Sequence, residues 1–374
     1  MIKDLHNIWN LKSKHITGSK FTGYESVYEK FDKFTKDVYN NNPQDTIDSV
    51  FDIYRSINLV PIVYFTEQGL ITAIREFASK SYNGVLSGRV GLGNNAGQTI
   101  NRFIFPNMQT AEPKGRGSNS LKDRFYNDAK LKRAIRICFE FRDGNNLVYP
   151  TAIRRALELV TGENVTNFKA QNAKAIVEYL CPILWGNVYD YSAGYGGRLL
   201  GITSSNMRYN YVGIDPNTET VKYLNYLQQL IESATGVTSE IYCKTSEEYI
   251  PENIDLAFSS PPYYNLEKYS DEDTQCMVRY GSLDSWFMGY VEPTLLNIYK
   301  GLNNGGIFAT NIADYKTYGQ KEPIKVVERW IQTAERIGFK SDGVIKMMLN
   351  TRPGVGNNKT DGREKFEGVY VFKK

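Results

Sequence analysis

From Tyr189 onward, short apolar runs alternate with stretches whose apolar positions recur every three or four residues, the pattern of β-α units around a mainly parallel sheet. The apolar runs predict strands over 188–192, 211–214, 240–243, 256–259, 306–311, 344–349 and 369–373. Between them the helical spacing predicts helices over 218–235, 283–302 and 323–337, and Gly301, Gly305, Gly306 and Gly338 stand where those helices should stop. A further helical pattern over 168–180 precedes the first strand.

The first 165 residues read differently. Helical stretches over 66–80 and 130–139 are separated by a glycine- and asparagine-rich run over 83–97, which lacks the lysine of a phosphate-binding P-loop. Turn-forming residues over 162–166 mark a boundary. The expected organisation is a mostly helical module over 1–165 followed by an α/β domain over 166–374, and 374 residues suffice for two cores.

Composition narrows the chemistry. An apolar content of 41% with 23% charged residues is that of a folded globular chain, and a net charge of +4 permits a polyanionic partner without requiring one. Cys138, Cys181, Cys243 and Cys276 are widely spaced with no C-x-x-C pair, so neither a disulfide framework nor a zinc site is expected, and a reducing cytoplasm is the natural setting. His6 and His15 are the only histidines, which removes Ser-His-Asp chemistry and histidine-held metals from the α/β half. The longest apolar run, 59–65, is far short of the ~20 residues that cross a bilayer. No metal and no membrane partner are expected.

Two segments carry chemistry. The first, DYSAGYGGR over 190–198, follows a predicted strand and opens a helix; Gly194, Gly196 and Gly197 allow a sharp turn and close approach of the backbone to a ligand. Asp215, at the end of the next strand, is placed to accept hydrogen bonds from ribose hydroxyls. Leu199 stands where a dinucleotide site would have its third glycine, so an adenosine-containing cofactor other than NAD or FAD is favoured.

The second segment, Ser260-Pro261-Pro262-Tyr263, follows the fourth predicted strand, where two prolines end the strand in a rigid corner that exposes a carbonyl. Methylation of an amino group conjugated with a base ring needs acceptors for both amino hydrogens, so that the nitrogen can pyramidalise. Ser260 Oγ and the Pro261 carbonyl can supply them, and the Tyr263 ring offers a stacking face to a base rotated out of its helix.

SAGYGGR, then GIDPN, then SSPPYYNLEKY in this order resemble the amino-group DNA methyltransferases, the adenine-N6 and cytosine-N4 class, especially phage- and bacterial-type members, over 166–374. The resemblance implies a Rossmann-like seven-stranded methyltransferase sheet and S-adenosyl-L-methionine as cofactor. It places the methionine part on Ser192, Ala193, Gly194 and Gly196, the ribose on Asp215, and the adenine beside Pro216 and Asn217, with Thr245, Ser246 and Glu247 near the adenine amino group. Phe168 and Lys169 are further candidate contacts, with core packing of an amphipathic helix as the alternative. It makes Ser260, Pro261, Pro262 and Tyr263 the catalytic tetrapeptide. Serine at its first position is commoner in the cytosine-N4 group, yet both chemistries need the same geometry, so both bases stay open.

The α/β half leaves little room for target recognition, which is therefore expected in the first 165 residues. There Lys114, Arg116, Lys122, Arg124, Lys132 and Arg133 can neutralise phosphates of duplex DNA, the alternative being a solvated helix face. Arg352, Lys359, Arg363 and Lys365 lie between the last two strands. Two other readings are a methyltransferase acting on RNA or on a protein glutamine, and a DNA-binding protein with a vestigial methyltransferase fold.

Overall fold

The computed structural model of the chain describes residues 1–91, 96–113, 120–161, 165–316, 321–348 and 366–374. They form two compact units, Met1–Thr72 with Arg102–Thr166, and Ala73–Asn101 with Asn167–Lys374. Residues 73–101, read from sequence as part of the N-terminal module, thus belong to the second unit. Three local ties account for this: Lys174 Nζ donates to the carbonyls of Ala78 and Lys80 (both 3.3 Å), Arg75 Nε donates to the Ala234 carbonyl (3.1 Å), and the hairpin Val85–Leu86/Arg89–Val90 joins the sheet of that unit.

The first unit is mostly helical, with helices Pro43–Ile57, Asp128–Phe141 and Pro150–Thr161 and one short strand pair, Lys20–Phe21 with Tyr64–Phe65. Its core holds Phe31, Tyr54, Phe125, Leu131, Ile153 and Leu157. Buried polar ends find partners there: Tyr54 donates its hydroxyl to the Val148 carbonyl (2.7 Å) and Trp9 Nε1 donates to the Phe103 carbonyl (3.0 Å).

The second unit is built on a sheet whose seven main strands are β1 (Asn187–Asp190), β2 (Asn210–Asp215), β3 (Ser239–Cys243), β4 (Ile254–Ser259), β5 (Leu302–Asn311), β6 (Lys340–Met348) and β7 (Phe366–Lys373). They lie in the order β3-β2-β1-β4-β5-β7-β6, with β7 antiparallel to both neighbours and the β3-β2-β1-β4-β5 series parallel. The hairpin extends the sheet beyond β6, where Arg89 pairs with Lys346. Its turn residues Ser87 and Gly88 have φ of 50° and 70°, the paired left-handed conformation that matches strand twist in a two-residue hairpin.

Central strands such as β4 read as continuous apolar runs because helices cover both faces. Helices α1 (Ala170–Leu180), α2 (Gly197–Thr203), α3 (Thr218–Thr235), α4 (Glu292–Gly301) and α5 (Val327–Ile337) fill the connections. Asn217 opens α3 by accepting the Thr220 N–H (2.8 Å), and Gly236, at φ 73°, closes it. The close packing of α1 on α2 depends on missing side chains: a Cβ at Gly201 would sit 2.0 Å from the Ala170 carbonyl oxygen.

The chain runs from β1 outward through β2 and β3, then returns to β1's other side with β4 and continues through β5. The strand order therefore reverses between β1 and β4, and open α/β sheets bind ligands in the crevice at the carboxyl ends of the strands at such a point. Both sequence motifs leave the sheet there, one from β1 and one from β4.

Candidate active site

The bend after β1 is fastened to β2. Ala193 N donates to the Ile214 carbonyl (2.8 Å), while Gly194 and Gly196 take φ of 55° and 69°, which side chains disfavour. Gly197 opens α2 so close to the preceding segment that a Cβ would meet the Phe168 carbonyl oxygen at 2.0 Å. Asp215, at the end of β2, accepts the Gly194 N–H (2.9 Å) on one oxygen and the Asn217 N–H (3.0 Å) on the other. Burial pushes its carboxyl up to about 6, against the opposing pull of those two N–H donors. Each oxygen keeps a further lone pair, the requirement for holding a vicinal diol.

Beneath the bend lies a buried network that sequence reading did not anticipate. Asp190, fully buried at the end of β1, accepts from Arg198 Nε (2.9 Å), the Tyr211 hydroxyl (2.9 Å), the Ser259 hydroxyl (2.6 Å) and Ser192 N (3.3 Å). Arg198 also donates to the Ser192 carbonyl. Three strands and the start of α2 are thereby tied at one carboxylate, and losing one charge would strand the other at a cost of about 3–5 kcal/mol. Ser259 Oγ lies 3.5 Å from the Ser192 carbonyl oxygen, so the end of β4 and the bend after β1 are immediate neighbours.

Ser260, Pro261, Pro262 and Tyr263 follow directly. Ser260 is half-buried, and its hydroxyl has no hydrogen-bond partner among the described residues, which leaves it available to a substrate. The Tyr263 hydroxyl accepts the Ala313 N–H (2.9 Å), and Tyr315 packs edge-on at 4.8 Å between ring centroids while donating its own hydroxyl to Asn265 (2.9 Å). The hydroxyl contact and the Tyr315 ring together fix the Tyr263 ring.

A third wall comes from a residue that periodicity did not single out. The helix expected over 283–302 is interrupted by a π-helical turn, Phe287–Val291, between Leu283–Trp286 and α4. Pro293 lacks the N–H that would bond the Gly289 carbonyl, and the Tyr280 hydroxyl, whose one proton is shared with Glu247, lies 3.0 Å from that carbonyl. The turn brings the buried Tyr290 hydroxyl to 3.2 Å from Ser192 Oγ and into contact with Ser246. Thr294, one turn on, donates to Ser246 Oγ (3.2 Å), and Asn297 donates to the Ser246 carbonyl (3.2 Å). Ser192, Ser246 and Tyr290 thus form one polar chain. Glu247, by contrast, is committed to Arg279 and to the Tyr280 hydroxyl (both 2.8 Å). Phe168 packs edge-on against Phe258 at 5.6 Å with the Arg198 guanidinium over its ring at 5.5 Å, the packing alternative.

Past the corner, Glu267 is half-buried and accepts from the Tyr269 hydroxyl. The Tyr269 ring meets Tyr195 of the glycine bend edge-on at 6.2 Å. Burial pushes the Glu267 carboxyl up to about 7, with the Tyr269 donor opposing the rise. The charge of Glu267 raises the phenols of both Tyr195 and Tyr263, after burial in each case.

The basic segment of the first unit divides. Arg124 is 1% exposed and donates to the Leu157 carbonyl (3.2 Å), so it is a core residue and not part of a phosphate-facing surface; the neighbouring Phe125 is fully buried. Lys132 pairs with Asp48 (2.6 Å) and lies over the Phe51 ring at 4.7 Å. Lys122 is half-exposed and Arg133 exposed. Lys114 and Arg116, like Arg352, Lys359, Arg363 and Lys365, lie outside the described residues. Among the described residues there is no group of three or more His, Cys, Asp or Glu that could hold a metal, and no helix is long and apolar enough to cross a membrane.

No protein-family profile and no curated protein sequence matches the chain. Solved structures similar to it include an S-adenosylmethionine-dependent methyltransferase from Aquifex aeolicus, with 12% identity, a TM-score of 0.36, and coverage of 55% of this chain and 90% of that one. Fibrillarin of Aeropyrum pernix with natively bound S-adenosyl-L-methionine is similar at 11% identity and a TM-score of 0.33, covering 54% and 73%. The [4+2]-cyclase SpnF is similar at 12% and 0.36, covering 54% and 80%. Likeness at this level adds nothing to the strand order already described, and one of these neighbours is a cyclase. The fold is a Rossmann-like α/β sheet with helices on both faces, and function must be argued from the site.

Proposed function

We propose that this chain transfers a methyl group from S-adenosyl-L-methionine to an exocyclic amino group of a base in DNA, cytosine-N4 or adenine-N6. The observation that carries the reading is the adjacency of the glycine bend and the Ser260-Pro261-Pro262-Tyr263 corner at the point where strand order reverses, with Ser259 Oγ 3.5 Å from the Ser192 carbonyl oxygen.

The residues present fit the cofactor: a glycine cradle for the methionine part, a two-oxygen acceptor in Asp215 for the ribose, and the Ser192–Tyr290–Ser246 polar chain beside them. When bound, S-adenosyl-L-methionine supplies an electrophilic methyl on a sulfonium sulfur. The chain's own contribution is then positional. Ser260 Oγ and the Pro261 carbonyl accept the two amino hydrogens, Tyr263 stacks on the flipped base, and the buried Asp190 network holds bend and corner in register.

In the first unit, Lys122, Lys132 and Arg133 support duplex positioning, with Lys114 and Arg116 as further candidates. The test is transfer of tritiated methyl from S-adenosyl-L-methionine to DNA, RNA and a glutamine-bearing protein offered in parallel. Label in DNA is expected. Label confined to RNA or protein would retain the enzyme class and overturn the substrate, and cofactor-independent DNA binding with no transfer would favour a vestigial fold.

A further inference from the structure

We propose that Glu267 is the proton acceptor of the reaction, taking the proton that the amino nitrogen must shed once it is methylated. The inference rests on the amino-group reading above and adds to it a residue outside the catalytic tetrapeptide.

The chemistry creates the need. As the nitrogen lone pair forms the N–C bond, the C–S bond breaks and its electron pair stays on sulfur, leaving a positive charge on a nitrogen that still carries two hydrogens. One proton must leave to restore the conjugated amine. Ser260 Oγ and the Pro261 carbonyl can accept hydrogen bonds but cannot hold that proton at neutral pH, and the second unit contains no histidine.

Glu267 meets the requirement by placement. It stands in the short strand Glu267–Lys268, four residues past Tyr263 of the corner, and accepts from Tyr269, whose ring meets Tyr195 of the glycine bend at 6.2 Å; its charge also raises the phenols of Tyr195 and Tyr263, after burial in each case. It makes no ion pair among the described residues; Lys268 beside it pairs with Asp271. Its hydrogen-bond donor among the described residues, Tyr269, meets the Tyr195 ring edge-on. Burial without a countercharge leaves its carboxyl at about 7, close to where a base accepts and releases a proton with equal ease. Among the described residues, the other titratable groups acting on Tyr195, Tyr263 or Tyr269 are Asp215 behind the bend, Glu219 in α3, Tyr315, Cys276, and Glu367 at the start of β7, whose carboxyl burial also raises.

The full chain, S-adenosyl-L-methionine and a duplex DNA that the wild type methylates decide the matter. The wild-type kcat is expected to rise about tenfold per pH unit up to about 7 and then level off. Glu267→Gln should lower the plateau about 100-fold, the low end of what a general base contributes, and flatten the profile, with the cofactor Kd from equilibrium dialysis unchanged. Independently of turnover, carbon-13 spectra of glutamate-carboxyl-labelled protein should show a resonance titrating near pH 7 that Glu267→Gln removes. A variant with wild-type kcat and profile, or a kcat that falls through pH 7 as for an acid, overturns the inference alone. A wild type that methylates no DNA amino group overturns the reading beneath it. If the glutamine variant does not fold, Glu267→Asp decides: a lowered kcat with the rise retained but displaced supports the role, and wild-type kinetics refute it.

Discussion

Asp215 shows how one side chain sets a pH dependence. Its carboxyl is raised from the ordinary value near 3.8 to about 6, so the folded chain holds that proton more tightly than the unfolded one. The stability it contributes is fully present below about pH 4 and is lost as pH rises through about 6. A ribose diol donates to the ionised form, so cofactor affinity should run the other way, tightening up to about tenfold per unit from pH 5 toward 6 and levelling above 7. Equilibrium dialysis across that range checks it, and Asp215→Asn should bind weakly with a flat profile. The positions of Asp215, the glycines of the bend and the Ser260 corner were legible in the sequence because they follow from local backbone geometry and a strand end. The surroundings of Asp190, Tyr290 and Glu267 were not, because they come from burial and from side chains that the sequence pattern does not bring together. Arg124 failed for the same reason, since spacing alone cannot distinguish an arginine under a helix from one upon it.

Among the elements, the π turn at Phe287–Val291 joins a local irregularity to the site. Tyr290→Phe removes the hydroxyl shared by Ser192 and Ser246 while keeping the ring stacked on Trp286. It is expected to weaken cofactor binding about fivefold, equivalent to ~1 kcal/mol for one hydrogen bond, with kcat at saturation unchanged. A change in kcat with Kd intact would assign the hydroxyl elsewhere. The basic helices of the first unit predict a second outcome: Lys122→Gln with Arg133→Gln should reduce the slope of log affinity against log salt by about 2 without altering which DNA is preferred, as measured by fluorescence anisotropy at several salt concentrations. Short apolar runs located all seven main strands, because each has at least four residues and is flanked by turn residues. The hairpin at 85–90 escaped notice because two-residue strands carry no period, and the 283–302 helix read as continuous because a π turn shifts the apolar stripe without breaking it.

At the scale of the whole molecule, strand order does what strand sequence cannot. Pairing between β1 and β4, or between β5 and β7, joins residues far apart in the chain, so no local pattern encodes it. It nevertheless decides that the bend and the corner leave neighbouring strands at the same, carboxyl, end. The assignment of 73–101 was missed for the same reason, because its ties to Lys174 and β6 are long-range. The proposed activity requires bend and corner to serve one methyl transfer. Its most direct test is mass spectrometry of the nucleosides from DNA incubated with the chain and S-adenosyl-L-methionine. N4-methylcytosine or N6-methyladenine is expected, and neither when Tyr263→Ala replaces the wild type. Methyl on a ring carbon, or unmodified nucleosides from an enzyme that binds both the cofactor and DNA, would contradict it.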